Sequence, residues 1–559
     1  MPNILATPTT LWYDFNDSLD INPVVTGEKR RDGVVFESVN LLGRETGAGR
    51  VKIYGTFASG EASPAQETVI IFPDSADGID ENILKMFVDK GYSAFMVDYR
   101  GEWDGTEDYT RYPENISYAN TAKCGRHKDF VDESADKTCW YEWVAVGIYA
   151  RRYVAERTGS DNIAVMGIRD GGEIAWKLAV AKKFSCIIPV CAAGWQAYAG
   201  ISKYKSDEKE LDSERYRFIA GIDSQAYAPY VQCPIMLLCS TTDSRFDYDR
   251  AYDTFSRINP DYANESVISY SVQGNSSIDL NSSVNMFMYL DKYLKHRTVF
   301  VPRPVEITVG VDNEQNLIAN AKFDNLGVVE SSGLYFAEDC LDPSIREWTK
   351  CADSQKISDS ERKFYVDIYE ETSVLFVLGY AKYTNGFTIW SKIGIKKISG
   401  RFKNTCGKCR VIYTNKNGTD GFYVADPHSM SVGGIFFAGD GSAPLMVDKA
   451  KGIKGIYSPF GLTTYRMNSP RYSPVKENIL MIDVFCDETS EMTFVIEDSN
   501  EKEIYKYSQS ILGGVWQSLI IESKLFKTVN GVQLSDYAHN IRFCITCEGN
   551  YAINNVMWL

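Results

Sequence analysis

The residue types and spacing with the most chemical potential fall in one short stretch, Asp161 to Ala175, DNIAVMGIRDGGEIA. An apolar run, Ile163-Ala164-Val165-Met166, stops at Gly167 and turns through Ile168-Arg169-Asp170 into Gly171-Gly172. The residues that follow, Glu173-Ile174-Ala175-Trp176-Lys177-Leu178-Ala179, have helical periodicity. A strand, a tight turn and a helix N-terminus put the turn's central residue where free N–H groups and the helix dipole favour an anion. That residue is Arg169. A guanidinium stays protonated and offers no lone pair, so it is not a nucleophile. It is suited to holding a carboxylate or phosphate, or to pairing internally with Asp243 or Asp74. The chain has four histidines, His127, His296, His428 and His539, and of these only His127 lies in a segment placed to reach the turn. Two C-x-x-C pairs, Cys406/Cys409 and Cys544/Cys547, have the ligand types of a zinc site. The distance between the pairs and the strand-like setting of Cys544 and Cys547, which points them to opposite faces, favour ordinary thiols. No metal or other cofactor is expected.

The elements that must position these residues follow from periodicity. Residues 11 to 57 read as an antiparallel lead-in of three strands, around Leu11-Trp12-Tyr13, Gly33 to Val39 and Arg50 to Gly55. Strands and helices then alternate. Strands are expected at Thr68 to Phe72, Ser93 to Val97, Cys186 to Cys191, Pro234 to Cys239 and Ser269 to Val272, and helices at Glu81 to Lys90, Trp140 to Thr158 and Ser283 to Lys295. Such alternation implies an α/β class with a mostly parallel sheet covered on both faces. After the stiff Pro302-Arg303-Pro304 the helical pattern nearly vanishes. Residues 303–397, with strands such as Val305 to Val309 and Lys363 to Tyr369, read as a small β-sandwich, and residues 398–559 as a second all-β unit.

With 559 residues the chain exceeds what one core usually supports. An excess of 74 acidic over 59 basic residues, a formal net charge of -15, argues against non-specific nucleic-acid or anionic-membrane binding. The opening MPNILATPTTLWYDF lacks a basic region followed by an unbroken apolar run, and no stretch approaches transmembrane length. Together with thirteen thinly spread cysteines, this makes a reducing, cytoplasmic location the expectation.

Four landmarks occur in a telling order: Phe72-Pro73-Asp74-Ser75-Ala76-Asp77-Gly78 after one strand, Asp98-Tyr99-Arg100-Gly101 after the next, the turn Gly167 to Gly172, and Ser240-Thr241-Thr242-Asp243 after a buried strand. Over residues 1–300 the set resembles the α/β-hydrolase family, especially dienelactone hydrolases and acetyl-xylan-esterase-type carbohydrate esterases. The resemblance implies a nucleophile elbow of the form G-x-S-x-G. It further implies an oxyanion loop at Asp74 and Ser75, an acid at Asp243, and a histidine in the loop Gln273 to Asp279. Here Arg169 fills the nucleophile position and Ser276 the histidine position, so of the triad only Asp243 is retained. Loss of nucleophile or base alone typically removes ~10⁶ of such an enzyme's turnover. A catalytically degenerate protein that binds a small anionic or carbohydrate-related ligand, or a partner such as a second copy, is therefore expected. The alternative is an esterase that uses displaced residues, among them Asp170, Ser75, Ser240 or Cys191. Arg169, Asp170, Asp74, Ser75 and Trp140 are the candidate ligand-binding residues, with Trp103, Tyr109 and Tyr112 as further aromatics of an insertion from Trp103 to Cys139. The last segment, with Gly513-Gly514-Val515-Trp516 and the ending Ile553-Asn554-Asn555-Val556-Met557-Trp558-Leu559, is similar to jelly-roll, galactose-binding-like modules. That similarity implies sugar stacking on Trp516 and Tyr505, whose ordinary alternative is core packing.

Overall fold

The computed structural model describes residues 5–559 apart from 104–105, 200, 205–210, 242, 244, 274–276, 426–435, 438–442, 476–477, 499–502 and 539. Its first half is built on a nine-stranded sheet of β1 (Val24–Arg31), β2 (Val34–Thr46), β3 (Gly49–Gly60), β4 (Thr68–Phe72), β5 (Ser93–Asp98), β6 (Ile163–Ile168), β7 (Cys186–Val190), β8 (Met236–Ser240) and β9 (Val267–Ser271). The spatial order is β1-β2-β3-β5-β4-β6-β7-β8-β9. The pairs β1–β2, β2–β3 and β3–β5 are antiparallel, and from β5 onward every neighbour is parallel. The parallel strands are buried throughout, as crossover helices on both faces require.

Strand alternation sorts the side chains into two cores. Val69, Ile71, Ala164 and Met166 face α2 (Glu81–Asp89) and the helix Leu280–Tyr293, through Leu84, Phe87, Tyr289 and Leu290. Ile70, Phe72, Ile163 and Val165 face α3 (Cys139–Thr158) and α4 (Asp170–Ala181), through Trp143, Tyr149, Ile174 and Leu178.

Two expected strands differ. Leu11-Trp12-Tyr13 is not a strand: Pro8–Trp12 is a helix, capped by the Thr7 side chain with Pro8 in its first turn. Trp12 stacks on Tyr141 of α3 at 4.9 Å, so its apolarity serves a helix contact and not a sheet. The expected single strand Lys363 to Tyr369 breaks at Val366-Asp367. Glu361–Tyr365 belongs to one sheet, and Ile368–Tyr369 pairs with Thr405–Cys406.

Beyond residue 305 every sheet of three or more strands is antiparallel. A four-stranded sheet (Glu306–Val311, Leu317–Lys322, Glu361–Tyr365, Asp353–Ser358) accompanies a five-stranded one around Val329–Glu338 and Val374–Tyr383. Their apolar residues, among them Leu334, Phe336, Val377 and Trp390, merge with the α2-side core, where Trp390 meets Tyr270 of β9. A six-stranded and a five-stranded sheet from residues 411–558 enclose a separate core containing Ile482, Phe494, Phe543, Ile553 and Trp558. One dipeptide ties the three regions together. Arg346 reaches back to Asp249 with 2.8 and 2.7 Å bonds, and Glu347 reaches forward to Tyr423 at 3.0 Å and Arg466 at 3.5 Å. No described helix is long and apolar enough to cross a membrane.

Candidate functional site

The turn after β6 is as tight as its glycines suggest. A Cβ on Gly167 would lie 2.0 Å from the Gly171 carbonyl oxygen, and one on Gly171 2.2 Å from that of Phe72. The turn therefore sits against the end of β4 at a distance only glycine permits. Between the glycines, Arg169 adopts φ 48° and ψ −110°, a strained conformation for a residue with a side chain. It is held by Arg169 N donating to Val190 O (2.8 Å) and Glu173 N donating to Arg169 O (2.9 Å). This is the strand–turn–helix context of an elbow, with Arg169 at its apex.

The guanidinium is internally paired. Arg169 Nη2 and Nε donate to Asp243 Oδ2 at 2.7 and 3.1 Å, and Nη1 donates to Asp74 Oδ2 at 3.5 Å. Asp74 is supplied by the loop after β4 and Asp243 by the loop after β8. Asp74 Oδ2 also accepts from Arg245 Nη1 at 2.5 Å, while the Arg245 backbone N–H donates to Asp243 Oδ1 at 2.8 Å. Arg245 Nη2 lies 3.8 Å from Asp170, the first residue of α4. Asp170 in turn accepts from the Ser75 hydroxyl and, at 2.6 Å, from Lys128 Nζ. Three carboxylates and three cations thus alternate in one chain: Asp243, Arg169, Asp74, Arg245, Asp170, Lys128.

Burial works against the charge on each cation, but the neighbouring carboxylates outweigh it. Arg169 is raised by Asp243, Lys128 by Asp170 and Arg245 by Asp74. Asp77, in the loop that carries Asp74, is driven upward to about 6, first by burial and then by repulsion from Asp74. Its Oδ2 is buried and unpartnered.

Several expected site residues lie elsewhere. Trp140 does not line a ligand surface: it is wholly buried, and its Nε1 donates to the Lys128 carbonyl at 2.8 Å, so it supports the loop that carries Lys128. His127 does not reach the elbow. Its ring stacks on Tyr118 at 4.6 Å and its Nδ1 lies 3.0 Å from the Lys137 carbonyl, whereas its neighbour Lys128 turns inward. Ser276 lies outside the described residues. Asp98 of the Asp98-Tyr99-Arg100-Gly101 turn organises its own loop by accepting from Arg100, Gly101 and Thr110. Cys191, at φ 48°, is buried, and burial followed by Asp243 pushes its thiol far up, away from a reactive thiolate. Tyr505 is a core residue, not a sugar platform. Trp516 packs on Phe485 at 5.5 Å.

The sequence does not single out Arg245 and Lys128. The available signal was charge balance: buried Asp74, Asp170 and Asp243 need three cations, and Arg169 supplies one. A second buried network, which no motif in the sequence announces, lies under α4. Glu173 accepts from Gly194 N at 2.7 Å and from the Ser224 hydroxyl, and Lys177 Nζ donates to the Glu173 carbonyl at 3.0 Å. Burial lowers Lys177 and raises the adjacent Asp223 to about 6. A cavity of about 430 Å³ lies apart from both networks, at β1–β3, between Leu42, Tyr54, Tyr109 and Arg111.

No protein-family model matches the chain, and no curated protein matches its sequence. Among solved structures it is similar to an acetyl xylan esterase from a Paenibacillus species, at 14% identity over 47% of this chain and 84% of that one, with a TM-score of 0.33. It is also similar to acetyl xylan esterase 1 from a Thermoanaerobacterium species, at 13% identity over 48% of this chain and 88% of that one, with a TM-score of 0.35. A third similar structure is a cold-adapted esterase from an Arctic intertidal metagenomic library, at 14% identity over 49% of this chain and all of that one, with a TM-score of 0.32.

Proposed function

We propose that this chain is a non-hydrolytic protein on an α/β-hydrolase-like scaffold, whose elbow has been converted from a nucleophile site into a closed ion-pair cluster. The observation that carries the reading is Arg169 at the elbow apex, bonded at 2.7 Å to the acid that would otherwise orient a catalytic histidine. A protonated guanidinium in that place neither attacks an acyl carbon nor relays a proton. The role left to the site is binding. Arg169 is buried between Asp243 and Asp74, so a small anionic ligand would meet the more exposed Arg245 and Lys128, 43% and 26% exposed, and would share them with Asp74 and Asp170.

The competing reading is an esterase that uses Ser75, whose hydroxyl lies between Asp170 and Lys128 Nζ, the latter at 3.2 Å. A serine–lysine pair requires a neutral amine to accept the serine proton. Asp170 holds Lys128 in its charged form against burial, which removes that acceptor. The test is hydrolysis of p-nitrophenyl acetate and of acetylated sugars by the full chain. Rates at the buffer background are expected, and saturable turnover abolished by Ser75→Ala would establish the competing reading.

A further inference from the structure

Cys486 ends the strand Leu480–Cys486 of the six-stranded C-terminal sheet, and Cys547 ends the strand Asn540–Cys547 of the five-stranded sheet that faces it. The two Sγ atoms are 3.8 Å apart. Cys486 is buried within the core between the sheets, while Cys547 is half-buried at its margin, so the second residue is the more accessible of the two. The two residues are 61 positions apart in sequence, and no backbone hydrogen-bond ladder joins their strands. A bond between them would cross from one sheet to the other at one rim of the unit.

We propose that Cys486 and Cys547 form a reversible dithiol–disulfide couple that staples the two C-terminal sheets, with low-molecular-weight disulfides as the oxidant. The more accessible Cys547 reacts first. Its thiolate attacks one sulfur of the small disulfide, that S–S bond breaks, and one small thiol leaves, giving a mixed disulfide on Cys547. Cys486 then loses its proton and attacks the Cys547 sulfur, expelling the second small thiol. Two protein thiols are oxidised by two electrons and one small disulfide is reduced to two thiols, which take up the two protons. The order is consistent with burial and the neighbouring Cys547, which push the Cys486 thiol up to about 12 and make it a poor first nucleophile but an adequate one at a sulfur already in contact. Closure of so long a loop restricts the unfolded chain more than it alters the native one.

The test uses the full chain incubated with oxidised glutathione, followed by non-reducing peptide mapping and thermal unfolding with and without dithiothreitol. A Cys486–Cys547 cross-linked peptide is expected. It should be accompanied by a rise in the midpoint of the C-terminal transition on the order of 10 °C, reversed by dithiothreitol. Cys486→Ser should instead accumulate glutathione on Cys547. Absence of the 486–547 cross-link in the unsubstituted chain would overturn the proposal whatever the variant does, as would a cross-link that leaves the midpoint unchanged.

Discussion

Arg169→Met removes the central cation of the elbow while keeping most of its volume. Its partner Asp243 has no solvent-exposed side-chain surface, and Asp74 has 1%. At 2.7 Å the Arg169–Asp243 attraction is about 6 kcal/mol for an effective dielectric of about 20. Most of that offsets the cost of dehydrating the two ions. The variant loses the attraction but keeps a dehydrated carboxylate, so the expected net loss of stability is ~3–5 kcal/mol. The loss falls mainly on Asp243: Arg245 still holds Asp74 at 2.5 Å, while among the described residues Asp243 keeps the Arg245 backbone donor alone. The assay is urea unfolding of the full chain followed by near-ultraviolet circular dichroism, where Trp143 and Trp176 of the α3–α4 core report. The double variant Arg169→Met/Asp243→Leu should return to within about 2 kcal/mol of the original chain, because no charge is stranded. The penalty of the single variant should also shrink on acidification, since protonation neutralises the stranded carboxylate. A single-variant loss under about 1 kcal/mol, or a cycle in which the two substitutions simply add, would refute the view that the cluster is a closed set of buried pairs.

Three other substitutions probe separate parts of the structure. Gly171→Ala drives a Cβ to 2.2 Å from the Phe72 carbonyl oxygen and should destabilise the α/β half by about 3 kcal/mol or more, measured by the same unfolding assay. Asp223, raised in the folded chain to about 6 from its ordinary 3.8, favours folding when protonated. That contribution is complete below pH 3.8 and disappears as pH rises through 6. It amounts to about 3 kcal/mol between the extremes, and comparison of the chain with Asp223→Asn at pH 4 and pH 7.5 should show it. Arg346→Met strands the fully buried Asp249 and should cost ~3–5 kcal/mol, with increased proteolytic nicking between the α/β half and the residues after 305 as an independent readout.

The parallel strands were readable because each is a short apolar run closed by glycine or a charged turn, buried on both faces so that no alternation blurs it. β1 was invisible for the opposite reason: Val24–Arg31 is a polar edge strand exposed along nearly all its length. At the N-terminus three apolar residues outweighed the better signal, Thr7 followed by Pro8, which marks a helix start. At the site, the strand–turn–helix around Arg169 and the loop of Asp243 are legible because each directly follows a buried strand. Lys128 is not, because an irregular insertion brings it to Asp170 across 42 residues. Arg245 stands only two residues after Asp243, but a surface-loop arginine has no pattern that reveals its turn toward Asp74. The same limit applied to Trp140: an aromatic near a pocket and one beneath it look alike until burial is known.

The most direct measurement of the non-hydrolytic reading is intact-mass analysis of the full chain after prolonged exposure to a serine-directed fluorophosphonate, with peptide mapping of any adduct. An unmodified mass is expected, because Arg169 stands at the elbow and Lys128 remains charged beside Ser75. A stoichiometric adduct on Ser75, Ser240 or another serine of the α/β half would contradict it.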